Sequence, residues 1–263
     1  MRKDYHMHPT VLKTPERFEL FVKEALRKNI GEICVTDHMP LSLSHAKDRL
    51  ERGRVRDYCA RVRELAEAYA DCISIKCGIE IDYHPSVRSE IEEVLGEGSF
   101  DFILGSSHIH IFEKENCARY TYNDFAALAL ENSIRAAESG WFDALSHPDM
   151  FRFTFERPDR FPLIVEEYTP ARHRALWDAL FAAVNKSGAY LEINPHLAED
   201  KRDLFYTYPQ DSVVEWALEA GVKFSFGSDA HKPESVGAYL DELEVHPVYG
   251  GALAAWESGN ETR

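Results

Sequence analysis

Paired thiols are the first thing this sequence lacks. Cys34, Cys59, Cys72, Cys77 and Cys117 are scattered through 263 residues without one C-x-x-C pair. An odd, unclustered set offers neither a disulfide framework nor a structural zinc knuckle, and it reads as reduced, mostly buried thiols. Long apolar runs are missing too, so no segment approaches membrane-spanning length. The opening MRKDYHMHPT has no apolar core of a secretory leader, and a cytoplasmic location is expected. Positive charge is in short supply: 30 lysines and arginines face 45 acids, for a formal charge of −15. Such a field repels nucleic acid and anionic membrane, and neither is expected as a partner. It does not exclude a small anionic substrate, because bound cations reverse the potential locally.

What is present is enough apolar material for one sizeable core, with hydrophobic residues at 44%. No linker or repeat interrupts it, so residues 1–263 are expected to form a single domain. Short apolar runs alternate with amphipathic segments. In Thr14–Asn29, Phe18, Phe21, Val22, Ala25 and Leu26 recur at helical spacing, with Thr14 as a possible cap and Pro15 at the first position. Val55–Asp71, Val87–Leu95, Asn123–Ser139, Arg172–Ser187 and Asp211–Ala220 read as further helices, and Gly140, Gly188 and Gly221 stand where helices stop. Strand-like runs lie between them at Lys3–His6, Glu32–Thr36, Ser74–Ile81, Phe100–Gly105, Phe142–Ser146, Ala189–Ile193 and Lys223–Gly227. Seven β units separated by helices imply a parallel α/β sheet with right-handed crossovers. A closed or nearly closed barrel fits the count. An open, doubly wound sheet is the alternative, since a strand count does not show closure.

The ends of these runs carry the chemistry. They read His6-Met7-His8, Thr36-Asp37-His38, Glu80-Ile81-Asp82, Ser106-Ser107-His108-Ile109-His110, Ser146-His147-Pro148-Asp149, Glu192-Ile193-Asn194-Pro195-His196 and Ser228-Asp229-Ala230-His231. In a parallel barrel all strand C-termini open on one mouth, where active sites are built. A lone histidine is more often a hydrogen-bonded structural residue than a ligand; seven polar strand ends on one rim point to a shared site. His6 and His8 fall on one side of an extended segment, as do Asp229 and His231. Imidazole with carboxylate and no thiolate suits Zn, Fe or Mn better than Mg. Clusters of such ions serve hydrolysis of phosphate esters.

H-M-H near the start, T-D-H, G-I-E-I-D-Y, G-S-S-H, S-H-P-D and G-S-D-A-H together resemble the PHP (polymerase and histidinol phosphatase) superfamily, from about Asp4 to Gly237. T-D-H-M-P, G-I-E-I-D-Y and G-S-D-A-H are most similar to its monofunctional histidinol-phosphate phosphatases. The resemblance implies a distorted (β/α)7 barrel hydrolysing L-histidinol phosphate with two to three divalent ions. By that resemblance His6, His8, Glu80 and Asp229 would bind the first ion. Glu80 would bridge to a second held by His108 and His147. His38 and His231 would hold a third. A hydroxide shared between ions would attack phosphorus, with Asp229 orienting it or taking its proton, so Asp229, His231 and Glu80 stand as the catalytic set. The family places a further ligand soon after H-x-H. Here Glu16 is the nearest candidate, although a helix-N-terminal acid is its plain alternative. Ser106 and Arg202 are candidates for the phosphate, with Arg152 and Arg157 behind them. His196 is a candidate leaving-group acid or contact for the substrate imidazole. Asp37, Asp82 and Asp149 read as carboxylates that orient ligand histidines. His45, His84, His173 and His246 read as non-ligands, and His110 is intermediate. The same site would serve another small phosphate, such as a nucleotide or sugar phosphate. A polymerase-associated module and a non-catalytic metal binder are the other classes, opposed by the charge and by the intact ligand set respectively.

Overall fold

The computed structural model describes residues 1–39, 41, 50, 51 and 53–258; His45 and the Pro40 of T-D-H-M-P lie outside them. Seven strands run β1 Arg2–Asp4, β2 Ile30–Val35, β3 Ser74–Asp82, β4 Phe102–Ser106, β5 Ala144–Leu145, β6 Tyr190–Ile193 and β7 Phe224–Phe226. They lie side by side in sequence order, and every neighbouring pair is parallel. The circle closes beyond the regular ladder. Tyr5 N donates to Phe226 O at 3.0 Å, His8 N donates to Ala230 O at 2.8 Å, and Met7 bridges Ala230 in parallel. The open-sheet alternative is thereby removed, and the expected (β/α)7 barrel stands.

The strands are apolar and buried on both faces, as parallel strands covered by helices are. Phe18, Phe21, Val22 and Ala25 form the buried face of the helix Pro15–Arg27. The helix Tyr122–Ser139 starts with a capping box between Thr121 and Asp124, one residue earlier than its periodicity suggests. Gly140 at φ 69° and Gly188 at φ 77° take the left-handed conformation that ends their helices, as read from sequence. Thr14 does not cap: its hydroxyl meets Thr10 Oγ1 at 2.6 Å instead of a helix N–H. All five cysteines are unpaired, and Cys72 alone of them is exposed. No helix among the described residues is long and apolar enough to cross a membrane.

The residues after Gly237, unassigned from sequence, form the helices Leu240–Glu244 and Tyr249–Ser258. Trp256 packs edge-on to Tyr5 and Tyr190 at 4.9 and 5.2 Å between ring centres, and Lys3 Nζ lies 5.0 Å from its ring. This helix therefore seals the N-terminal end of the barrel and leaves the C-terminal mouth free.

Candidate metal centre

β3 is the longest strand, and it carries Glu80 to the centre of the mouth. The carboxylate is buried and meets imidazoles from three other segments. Its Oε2 lies 3.5 Å from His6 Nε2, 3.5 Å from His8 Nε2 and 2.6 Å from His38 Nδ1, while its Oε1 lies 3.1 Å from His147 Nε2. Asp229 enters from the loop after β7, with Oδ1 3.1 Å from His8 Nε2 and 3.6 Å from His6 Nε2. His6 and His8 do face one side, as the two-residue period requires. His8 stacks on His38 with ring centres 4.0 Å apart, and His108 stacks on His147 at 4.8 Å. Asp229 and His147 hold their directions with positive φ values of 54° and 27°, a conformation that side chains other than glycine adopt at a cost.

Burial opposes every charge in this cluster, and the partners decide the outcome. Against that burial, the His38 and His6 imidazoles hold the Glu80 carboxyl well below the usual carboxylate range. Burial likewise works to raise the Asp229 carboxyl, but His6 and His196 hold it well below its ordinary value. His8 is buried beside His38 and His231, and it is pushed well down. Burial would lower His108, yet the Asp82 carboxylate raises it to about 9. Two ionised acids thus sit among histidines that compete for protons.

These groups fit cations. His6 Nε2 and His8 Nδ1 are buried without a hydrogen bond, which native interiors rarely tolerate. Ligand-capable atoms within 4.8 Å of one another occur as His6–His8–Glu80, Glu80–His108–His147, His8–His38–His231, His196–Asp229–His231 and His6–His147–Glu192. The donors are imidazoles and carboxylates, the set that Zn, Fe or Mn prefers.

A model of the PHP domain matches residues 4–196. The chain belongs to this family. The PHP chain is 29% identical over 261 residues to a probable histidinol-phosphatase of Deinococcus radiodurans, covering 94% of each chain. It is 24% identical over 265 residues to the histidinol-phosphatase of Bacillus subtilis, covering 92% of this chain and 98% of that one. Its fold is that of the Lactococcus lactis histidinol phosphate phosphatase solved with zinc, L-histidinol and phosphate. The TM-score is 0.68 at 20% identity, over 88% of this chain and 87% of that one.

Most residues singled out in sequence meet at the mouth of this PHP barrel; several do not. Glu16 is exposed on the first turn of its helix, where the dipole favours an acid, and belongs to none of the ligand-capable groups among the described residues. Ser106 is fully buried, and its hydroxyl donates to Glu80 Oε1 and meets Ser146 Oγ at 2.8 Å. It braces Glu80 and does not face the cavity. Arg202 is exposed and absent from the cavity lining. Arg152 is buried in an ion pair with Asp149 at 2.8 Å, and the Arg157 guanidinium lies 4.2 Å from the Phe153 ring. Asp82 Oδ1 lies 2.5 Å from His108 Nδ1, the contact that a carboxylate orienting that ring would make. Asp37 accepts Thr10 N and Val11 N, and so folds the loop after H-x-H. Asp149 pairs with no histidine among the described residues; besides Arg152 it accepts Gln210 N.

A cavity of about 290 Å³ opens over the cluster, and His38, His108, His147, His196, Asp229 and His231 line its floor. Its outer wall holds His110, Ile111, Met150, Phe153 and Phe161, and it carries the cations Lys114 and Arg160. Sequence reading missed both cations, because neither sits at a strand end. It placed Glu192 at a strand end but gave it no role, although its position two residues before Asn194 on an inward-facing strand was the available signal. Asp4 was missed as well: it accepts from Ser228 N, Ser228 Oγ and Gly237 N at 2.6–2.9 Å, tying β1 to the loop that bears Asp229.

Proposed function

We propose that this chain is a metal-dependent phosphomonoesterase that hydrolyses L-histidinol phosphate to L-histidinol and phosphate. The observation that carries the reading is that His6 Nε2 and His8 Nδ1, buried without hydrogen bonds, cluster with Glu80 and Asp229, and that Asp229 with further histidines lines a cavity whose wall holds two cations and two aromatic rings. Full-length similarity to histidinol-phosphatases supports the choice of substrate.

In this reading His6, His8, Glu80 and Asp229 would hold one ion. Glu80, His108 and His147 would hold a second. His38 and His231 would hold a third beside His8. Bound ions of this kind lower the pKa of water and neutralise charge on the phosphoryl oxygens. The remaining work falls to the protein. Arg160 and Lys114 supply positive charge to the phosphate, which the overall charge of −15 would otherwise repel. Phe153, Phe161, Met150 and Ile111 provide an apolar wall for an imidazole ring. Asp229, which lines the cavity, accepts a hydrogen bond from the attacking water. His196 lines the cavity 5.6 Å from the His231 ring and gives a proton to the leaving alkoxide.

The test is a comparison of kcat/KM across L-histidinol phosphate, nucleotide and sugar monophosphates and a phosphodiester, with Zn, Mn or Fe supplied. L-histidinol phosphate is expected to lead by orders of magnitude; a nucleotide in first place overturns the substrate assignment. Glu80→Ala and Asp229→Ala are expected to abolish turnover and to lower metal content, and full activity in both contradicts the site. Arg160→Ala is expected to raise KM about 10–100-fold, the equivalent of roughly 1.5–3 kcal/mol for a charged hydrogen bond.

A further inference from the structure

Glu192 is the buried acid in this mouth that the proposed chemistry leaves unused. It sits on β6, 1% exposed, and makes contacts in three directions. Its Oε1 lies 2.7 Å from His6 Nδ1, across the barrel wall on the segment that follows β1. Its Oε2 accepts the backbone N–H of His147 at 2.8 Å and Asn194 Nδ2 at 3.0 Å. Both oxygens are therefore engaged, which leaves Glu192 poorly suited to bind an ion itself, although its atoms lie close enough to His6 and His147 to group with them.

We infer that Glu192 is a positioning residue that aims two metal-binding histidines at once. This rests on the ligand assignment proposed above for His6 and His147. An imidazole has two nitrogens, and a carboxylate on one fixes the proton there and turns the other outward as a lone pair. With Nδ1–H directed at Glu192, His6 presents Nε2, and that atom is buried without a hydrogen bond beside Glu80 and Asp229. The second oxygen acts on His147 through the main chain. His147 has φ 27°, and its N–H is anchored to Glu192 while its Nε2 reaches Glu80 at 3.1 Å. The carboxylate also explains a glycine. A Cβ at Gly227 would collide with Glu192 Oε1 and with His6 Cβ, so β7 leaves a notch where the two side chains meet. Glu192 thus couples a ligand of the first proposed site to a ligand of the second.

Glu192→Gln tests this with almost no change of volume. The amide cannot satisfy the three donors. Its NH2 group must face either His6 Nδ1, which favours the wrong tautomer, or the N–H groups of His147 and Asn194. Three measurements are made: metal content by elemental analysis, zinc affinity by chelator competition, and imidazole ¹⁵N–¹H spectra of the zinc-loaded protein. Wild-type protein is expected to show an exchange-protected His6 Nδ1–H proton. The variant is expected to lose that signal, to bind zinc about 10–100-fold more weakly, and to lose kcat with KM little changed. Glu80→Ala runs alongside as the control. Lowered metal affinity in Glu80→Ala with wild-type affinity in Glu192→Gln overturns the positioning role alone; unchanged affinity in both overturns the ligand assignment beneath it. If Glu192→Gln fails to fold, the wild-type spectrum decides: a His6 proton on Nε2 instead of Nδ1 sinks the inference.

Discussion

At the scale of single residues, the site separates groups that touch the reaction space from groups that aim them. Glu80 and the histidines around it face inward, while Asp82, Ser106 and Glu192 stand behind them with shorter contacts than any between the facing groups and Asp229. Replacing such a backing residue is felt through the imidazole it holds. Asp82→Ala removes the hydrogen bond at His108 Nδ1 and frees the ring to turn. The expected result is a 10–100-fold loss in metal affinity or turnover, read by chelator titration together with steady-state kinetics; wild-type values on both would remove Asp82 from the machinery. Sequence alone reached Asp82 because it alternates with Glu80 on one strand. It put Ser106 and Arg202 at the phosphate, whereas Ser106 lies buried against Glu80 and Arg202 lies outside the cavity lining, since a motif gives a residue's place in the chain and not the direction of its side chain.

At the scale of elements, the strands and major helices were legible from periodicity, with boundaries displaced by a few residues at most. Among the strands the largest shortening is at the fifth, expected over Phe142–Ser146 and found as Ala144–Leu145. Hydrogen bonds from Asp143 N to Ile103 O and from Ser146 N to Gly105 O flank it, so the chain stays extended while the regular ladder narrows. The final helix was not legible as a functional part, because its glycines and small residues show no clear amphipathic face. Its role follows from where Trp256 lands. Trp256→Ala is expected to cost about 3–5 kcal/mol, the usual range for removing a large buried aromatic ring. Urea unfolding of the metal-loaded protein measures the loss. Because the ring plugs the end away from the mouth, kcat at low denaturant is expected to stay near wild type.

At the scale of the whole molecule, barrel closure and metal binding are two aspects of one arrangement. Asp4 ties β1 to the segment after β7, and the same junction brings His6 and His8 beside Asp229. Ions that bind only this closed form stabilise it by mass action. With free ion a thousandfold above its dissociation constant, the gain is about 4 kcal/mol. For a chain of this size that corresponds to a rise in Tm of roughly 10 °C. Dialysis against a chelator is therefore expected to lower Tm by that order, and added zinc or manganese to restore it. A Tm indifferent to chelation would separate the histidine cluster from metal binding.

The amino-acid order was enough to specify seven strand–helix units and the polar residues at the strand ends, because hydrophobic period and helix stops are local properties of the chain. Closure of the sheet, the cations on the cavity wall and the carboxylate behind His6 were decided only in three dimensions. Each depends on contacts between residues far apart in sequence, such as His6 with Glu192 and His8 with Ala230. No local pattern encodes those distances; the twist and packing of the completed barrel set them.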